Sequence, residues 1–587
     1  MYSDKENVNI LTALLVAHGI HHAVVCPGSR NAPIVHNLNE CPDIQCWPVT
    51  DERSAAFFAL GMAQATDEPV VVCVTSGTAL LNLLPAVAEA HYQHRPLVVV
   101  SADRPAEWID QLDGQTLKQP GALEPWVAKS VSLPMVEDPA GSNRAMEEER
   151  WHCNRLVNEA LIEATGDSRA CVHINVPIRE PLFSFTTPAL PAERIIHRYS
   201  PMADYDCLCA ELLGDLFSSR RPMLVFGQMG RNSFSHGVAD FLFSHVTTIH
   251  EALADFPSVC HIDEVLACGE RDSDCQCPDS LLPDFVLYVG DAIVSKRLKR
   301  FLRRAKDARF WRVNSTGQVE DTFQNVRGIM VGDPEFVIES LSRKLSRFYN
   351  DGNDGVTRWQ TEYRRLWLKL LRGAAQRADS FIPPYSQMAA VRLLEQGCGN
   401  CAKREPSAGE PAVRFHYANS SAIRLANIYA HHHVCCNRGV NGIEGSLSTA
   451  VGYTVACNSN PASVAPTIVY CVIGDLSFFY DQNALWNKNL TRNLRILLLN
   501  NGKGGIFSRL PGLGASAASD SLVAGSHDTS AKGVCMQFGV EYRSASDQKT
   551  LEKEMAWFTS NDNDCVRLLE VFTDVDDDNR AILEYLA

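Results

Sequence analysis

One stretch, Thr467–Phe507 (TIVYCVIGDLSFFYDQNALWNKNLTRNLRILLLNNGKGGIF), limits the folds open to this chain more than any other. Thr467 to Ile473 is apolar and rich in β-branched residues, the pattern of a strand covered on both faces. Gly474-Asp475 stands at its carboxyl end, where open α/β sheets place their ligands. A helical pattern follows, then a second apolar run, Ile496 to Leu499, which stops at Asn500-Asn501 before a glycine-rich turn. A strand–helix–strand path of this kind returns parallel to itself, so Asp475 and Asn501 should meet at one sheet edge. A carboxylate and an amide oxygen are hard ligands suited to Mg²⁺, which takes six oxygens at about 2.1 Å and readily shares them with phosphates. The Lys503 carbonyl is the candidate third ligand, in a turn whose glycines let the backbone approach a diphosphate. Taken alone, Gly-Asp and Asn-Gly describe a helix cap and a turn; the spaced pattern selects the metal site.

Strand and helix patterns alternate through the rest of the chain, as in parallel sheets covered on both faces. At 587 residues several cores are required. The reading is α/β, with three doubly wound parallel-sheet domains over 1–190, 200–345 and 350–587. Pro188–Pro201 and Asn350–Gly355 read as linkers, and Gly397–Pro411 as a mobile surface insertion. The net charge of −15 argues against nucleic acid and against a polybasic membrane anchor. No apolar run approaches the roughly 20 residues of a membrane span, and the polar, acidic start is unlike a signal peptide; a cytoplasmic protein is expected. The 20 cysteines are scattered through strands and helices and read as reduced core thiols. Cys398-Gly-Asn-Cys401, followed by His431–His433 and Cys435-Cys436, lacks the spacing of a structural zinc site.

The two outer parts repeat one another. One common offset aligns VVCPGSRNAPI with FHYANSSAIRL, Ser29 with Ser420, and ALGMAQA with AVGYTVA, Gly61 with Gly452. Adjustments of six and then eight residues bring VVCVTSGT onto IVYCVIGD and LVVV onto ILLL. Two domains of one topology follow. The central part has only Gly227-Gln-Met-Gly230, too short for a dinucleotide fingerprint.

Gly-Asp, about 25 residues and Asn-Asn resembles the thiamine-diphosphate fingerprint, although Leu476 stands where many members carry a third glycine. Together with the flanking repeat, it makes the chain similar to the pyruvate-oxidase-like thiamine-diphosphate enzymes along nearly its whole length. That resemblance implies a thiamine-diphosphate-binding fold, with the cofactor and its Mg²⁺ (or Mn²⁺) across the interface of a homodimer or a dimer of dimers. Glu52 matches the acid that bonds the aminopyrimidine, Ile443 the apolar prop under the bent cofactor, and Ile506 and Phe507 the wall over the thiazolium. Ser76, Gly77, Gly474, Asp475, Leu476 and Asn501 complete the implied cofactor set. Read without the resemblance, Glu52 is better taken as a helix-start acid paired to Arg53.

Arg30, Arg104, Lys296, Arg297, Arg424 and Arg438 stand at predicted strand ends in an acidic chain, with Ser29, Gln115 and Ser420. Arginines grouped in this way suit substrates bearing several carboxylates. The wording CPGSRNAP, TDERSAAFFALG, TSGTA, SADRP, NSSAIR, NRGVNGIEG, GDLSFFYD and NNGKGGIFS resembles the menaquinone-pathway branch of the family. There the resemblance implies that 2-oxoglutarate loses CO₂ and the succinyl carbanion adds to isochorismate in a conjugate, Stetter-like step. It implies Ser420 and Arg424 on the far carboxylate of 2-oxoglutarate. Arg30, Arg104, Lys296 and Arg297 then take the carboxylates of isochorismate, with Ser29, Gln115 and Arg438 nearby. A 2-oxo-acid decarboxylase or acetolactate-type carboligase would use Glu52, Asp475 and Asn501 with a less basic pocket. An inactive regulatory subunit would be expected to lack Glu52.

Overall fold

The structure, a computed structural model, describes the chain apart from residues 138–142, 167, 199–207, 232, 234, 272–278, 351–353, 404–405, 407–409, 460–464, 508–512, 514–515 and 563. Part of each expected linker and of the 397–411 insertion lies outside the described residues.

Three parallel sheets carry the fold. The first holds β1 (His22–Val25), β2 (Gln45–Pro48), β3 (Val70–Val74), β4 (Leu97–Asp103), β5 (Lys129–Ser132) and β6 (Val172–Pro177), in the order β2-β1-β3-β4-β6-β5. The second holds β7 (Pro222–Phe226), β8 (Thr247–His250), β9 (Phe285–Val289), β10 (Arg309–Asn314) and β11 (Val326–Val331), in the order β11-β10-β9-β7-β8. The third holds β12 (Ala412–Tyr417), β13 (Thr467–Gly474), β14 (Leu494–Asn500), β15 (Glu541–Ala545) and β16 (Arg567–Phe572), in the order β12-β13-β14-β16-β15. Apart from the extra edge strand β2, the first and third sheets match strand for strand: β1 with β12, β3 with β13, β4 with β14, β6 with β16 and β5 with β15. This is the correspondence the internal repeat demands.

Strands β3 and β14 are buried at every position, as strands with both faces covered must be. Ile496, Leu497, Leu498 and Leu499 are all buried, each worth roughly 1.5–3 kcal/mol. The two outer units are joined by the helices Glu52–Thr66 and Ser446–Ser459, whose buried faces enter one core with β3, β13 and β14. Gly61 and Gly452 lie at their crossing. A Cβ on Gly61 would stand 2.0 Å from the Thr449 carbonyl oxygen, and one on Gly452 2.0 Å from that of Phe58.

Two sequence expectations need correction. The 27-residue helix Asp354–Ser380 falls beyond the expected boundary at 350, yet its Tyr363 and Trp367 pack with Met223, Val286 and Phe301 of the central unit. The start of the 397–411 segment is not a surface insertion. Helix Gln387–Leu394 continues through the π-turn Glu395–Gly399, where Cys398 is buried and donates to the Tyr470 hydroxyl at 3.2 Å. His432 there pairs with Glu395 at 2.8 Å, and the His433 ring bonds the Met229 carbonyl at 3.1 Å.

Candidate active site

Strands β13 and β14 run side by side with Gly474 opposite Leu499, so Asp475 and Asn501 emerge together. Asp475 begins the helix Asp475–Tyr480 and is tied to the opposite turn. Its Oδ2 accepts from the N–H of Asn501 at 3.2 Å and of Gly502 at 2.8 Å, and its Oδ1 from Leu476 N–H at 2.7 Å. Burial raises its pKa, while these N–H groups and His527, 3.6 Å away, oppose the rise. The Asn501 amide nitrogen donates to Asp578 at 2.9 Å. Its Oδ1 accepts no hydrogen bond among the described residues. Within that set the Lys503 carbonyl likewise accepts none from the backbone, whereas Gly502's is taken by His527 N–H at 2.7 Å. A carboxylate, an open amide oxygen and an open carbonyl at one edge fit a hard divalent cation. Phe507 turns back over Gly504, its N–H on the Gly504 carbonyl at 3.0 Å. Ile506 stands beside it, half-buried.

Glu52 is the first residue of its helix, capped by Asp51, which accepts from Ser54 N–H. The alternative Glu52–Arg53 pairing does not form. Arg53 donates to the Tyr480 carbonyl at 2.8 Å and lies over the Tyr480 ring. Glu52 accepts a 3.3 Å bond from Asn82. Beyond β3, Ser76 is buried, and Gly77 adopts φ +89°, a conformation that favours glycine. Its N–H donates to Gln119 at 2.7 Å, with the Gln115 backbone against it.

The candidate cations form two groups. In the first, at the β1 and β4 ends, buried Arg30 donates to the Ile178 carbonyl at 3.0 Å and to Glu180 at 3.1 Å, beside Asp103. Arg104 pairs with Asp113 at 2.7 Å and donates to the Gly114 carbonyl at 3.1 Å. Ser29 and Gln115 are exposed there.

The second group fills the seam between the central and third units. Lys296 and Arg297 open the helix Lys296–Arg304, whose N-cap Ser295 accepts from Leu298 N–H. Arg424 follows on the helix Ser421–Tyr429, and Ser420 precedes it at φ +70°, ψ −124°, a strained conformation for a non-glycine residue. Arg438 donates to Asn419 at 3.0 Å, and its Nε is buried without a hydrogen-bond partner among the described residues. Glu251 and Asp263 face these cations but are already engaged. Glu251 accepts from the N–H groups of Val294 and Ser295 at 2.6 and 2.7 Å, with its pKa pushed up to about 7 by burial. Asp263 accepts from the Ser295 hydroxyl. Burial lowers the pKa of Arg424, with Asp263 opposing and Arg438 and Arg297 adding to the shift.

The loop carrying Arg438 and Ile443 is held from all three units. Glu89 accepts from the N–H groups of Gly439 and Val440 at 2.6 and 2.7 Å. Gln228 donates to the Cys436 carbonyl at 2.9 Å, and Asn419 to those of Asn437 and Gly442 at 2.6 and 2.8 Å. Ser477 bonds the Ile443 carbonyl, and the Ile443 side chain is 43% exposed.

A family model described as "Thiamine pyrophosphate enzyme, N-terminal TPP binding domain" matches residues 6–122. Relatives named 2-succinyl-5-enolpyruvyl-6-hydroxy-3-cyclohexene-1-carboxylate synthase cover the full length. Those from Bacteroides fragilis and Bacteroides thetaiotaomicron are 43% and 41% identical, over 100% of this chain and 99% of their own. The chain belongs to this synthase family. A further synthase of that name, from Flavobacterium johnsoniae, is 31% identical over 97% of this chain and 96% of its own. As a member of the synthase family the protein is a thiamine-diphosphate-dependent enzyme of menaquinone biosynthesis.

Nothing in the sequence of this chain singles out Asp578, Glu89, Glu251 or Asp263. None lies in a motif, and each meets its site from a distant part of the chain. Their only signal in the sequence is an acidic residue close to a strand or helix end.

Proposed function

We propose that this chain converts 2-oxoglutarate and isochorismate to 2-succinyl-5-enolpyruvyl-6-hydroxy-3-cyclohexene-1-carboxylate with release of CO₂, acting in the cytoplasm as a homodimer or a dimer of dimers. Asp475, Asn501 and the Lys503 carbonyl would hold Mg²⁺ or Mn²⁺ and, through it, the diphosphate. Thiamine diphosphate, when bound, would supply the nucleophilic carbon and the electron sink that decarboxylation of a 2-oxo acid requires. Glu52 of the partner subunit would hydrogen-bond the aminopyrimidine and keep its amine ready to move a proton. Ile443 would prop the bent cofactor, and Ile506 and Phe507 would form the apolar wall over its thiazolium. Ser420 and Arg424 take the far carboxylate of 2-oxoglutarate. Arg30, Arg104, Lys296 and Arg297 orient isochorismate, with Ser29, Gln115 and Arg438 at its edge.

The observation that carries the substrate class is the charge of the seam. Arg424 and Arg438 face two carboxylates, Glu251 and Asp263, already committed to other donors, an arrangement that a dianionic substrate would relieve. A shared site is supported by apolar surface on the Arg438 loop and at and beyond the end of the helix that Asp475 begins: Ile443, Tyr480 and Trp486 are 43%, 51% and 54% exposed. The test supplies 2-oxoglutarate with and without isochorismate to Mg²⁺- and thiamine-diphosphate-loaded protein. Loss of isochorismate in step with CO₂ release is expected. Slow CO₂ release with isochorismate untouched would favour a simple decarboxylase.

A further inference from the structure

We infer that Asp578 is a positioning residue that aims the amide oxygen of Asn501 at the metal; the inference rests on the cofactor reading above. Asp578 is buried near the start of the C-terminal helix Val575–Leu586 and accepts three hydrogen bonds. Its Oδ1 takes the Gln387 N–H at 2.8 Å, and its Oδ2 takes the Thr573 hydroxyl and the Asn501 amide nitrogen, each at 2.9 Å. The Gln387 N–H and the Asn501 amide nitrogen can only donate, so the Asp578 oxygens meet them as acceptors. The carboxylate can face only the nitrogen end of the Asn501 amide. A half-turn of that amide would set oxygen against oxygen, so the free Oδ1 is held at the opposite end.

Three separate elements fix the carboxylate. Gln387 opens the helix Gln387–Leu394, Thr573 follows β16, and Asp578 stands on the last helix of the chain. Gly505 leaves room for the arrangement, since a Cβ there would come within 3.0 Å of the Asn501 Nδ2. The Asn501 N–H on Asp475 then locks the two ligands to one another. The far end of the same helix is anchored too, because the Tyr585 hydroxyl donates to Glu264 of the central unit at 2.8 Å.

An asparagine at 578 could offer nitrogen as readily as oxygen and would let the Asn501 amide turn. Loss of a bond that orients a metal ligand costs about 10- to 100-fold in metal affinity. The experiment titrates Mg²⁺ into full-length protein at fixed thiamine diphosphate and follows cofactor uptake by calorimetry. Asp578→Asn should raise the Mg²⁺ midpoint by about 10- to 100-fold, with uptake restored to the wild-type extent at saturating Mg²⁺. Thr573→Val, which removes one of the three donors, should shift the midpoint in the same direction by less. A folded Asp578→Asn protein with an unchanged midpoint would overturn the inference, as would an uptake deficit that excess Mg²⁺ does not repair. If Asp578→Asn does not fold, an unchanged midpoint in Thr573→Val overturns it equally. Wild-type protein that takes up no cofactor at any Mg²⁺ concentration would instead sink the reading on which the inference rests.

Discussion

Replacing Gly452 by alanine pits two effects of opposite sign against each other. Inside a helix, alanine is favoured over glycine by about 1 kcal/mol, so with open space around it the change would stabilise the protein. Here the new methyl would sit 2.0 Å from the Phe58 carbonyl oxygen and 2.9 Å from its Cα. Both atoms are backbone of the facing helix, which no side-chain rotation can move aside. Relief therefore requires the two helices to part by about 1 Å, an overpacking cost at the upper end of the usual range, ~3 kcal/mol. The net is a loss of ~2 kcal/mol. Gly61→Ala, whose methyl would meet the Thr449 carbonyl oxygen at the same 2.0 Å, should behave alike. Gly373→Ala is the control: that residue is exposed in the helix Asp354–Ser380, with nothing within 4 Å of its Cβ, and should gain up to ~1 kcal/mol. A three-unit chain does not unfold in one step, so the readout is the urea midpoint of the first transition. If Gly452→Ala and Gly373→Ala shift that midpoint in the same direction, the close helix crossing is wrong.

Three further outcomes are expected. Glu52→Gln should keep Mg²⁺-dependent thiamine diphosphate binding and lose turnover by about 10²- to 10⁴-fold; an unaffected rate in a steady-state assay would mean that the activating acid lies elsewhere. Arg424→Ala should raise the KM for 2-oxoglutarate by roughly 10- to 100-fold, as befits a lost charged hydrogen bond, with cofactor affinity nearly unchanged in the same calorimetric titration. Asp481 is buried and accepts from Ser448 N–H and its hydroxyl at 2.7 and 2.8 Å, and burial pushes its pKa from 3.8 up to about 7. The folded protein thus holds a proton that the unfolded chain has released, so this stabilisation, complete below the ordinary value, fades as pH rises through about 7. Urea midpoints measured from about pH 5 to 7.5 should fall with pH in the wild type and less steeply in Asp481→Asn; equal slopes would contradict the assignment.

Much of this architecture could be read from local patterns because the forces that set it are local. A strand such as β3 is buried at every position, so its sequence, Val-Val-Val-Cys-Val, carries no alternation to misread. Asp475 and Asn501 were legible for a related reason: parallel neighbours joined by a short crossover must end at one sheet edge. The repeat forecast the matched strand orders of the outer sheets, and Gly61 and Gly452 proved to meet at the helix crossing. Composition misled where packing overrode it. Cys398-Gly-Asn-Cys401 reads as loop, yet the helix before it carries through a π-turn because Cys398 is buried against Tyr470. The charged face of Asp354–Ser380 concealed Tyr363 and Trp367, which belong to the central core. Glu89, Glu251 and Asp578 were beyond reach, since a carboxylate that takes backbone N–H groups from a distant loop leaves no spacing to recognise.

The claim on which the account turns is that each catalytic centre combines Asp475 and Asn501 of one copy with Glu52 of another. Co-expression of Glu52→Gln and Asp475→Asn chains, with the mixed dimer isolated by two affinity tags, tests it directly. In the mixed dimer a shared centre leaves one of two sites intact, so about half the wild-type turnover is expected while both parent homodimers are inactive. A mixed dimer as inactive as its parents would place Glu52 and Asp475 of a single chain in the same site and contradict the account.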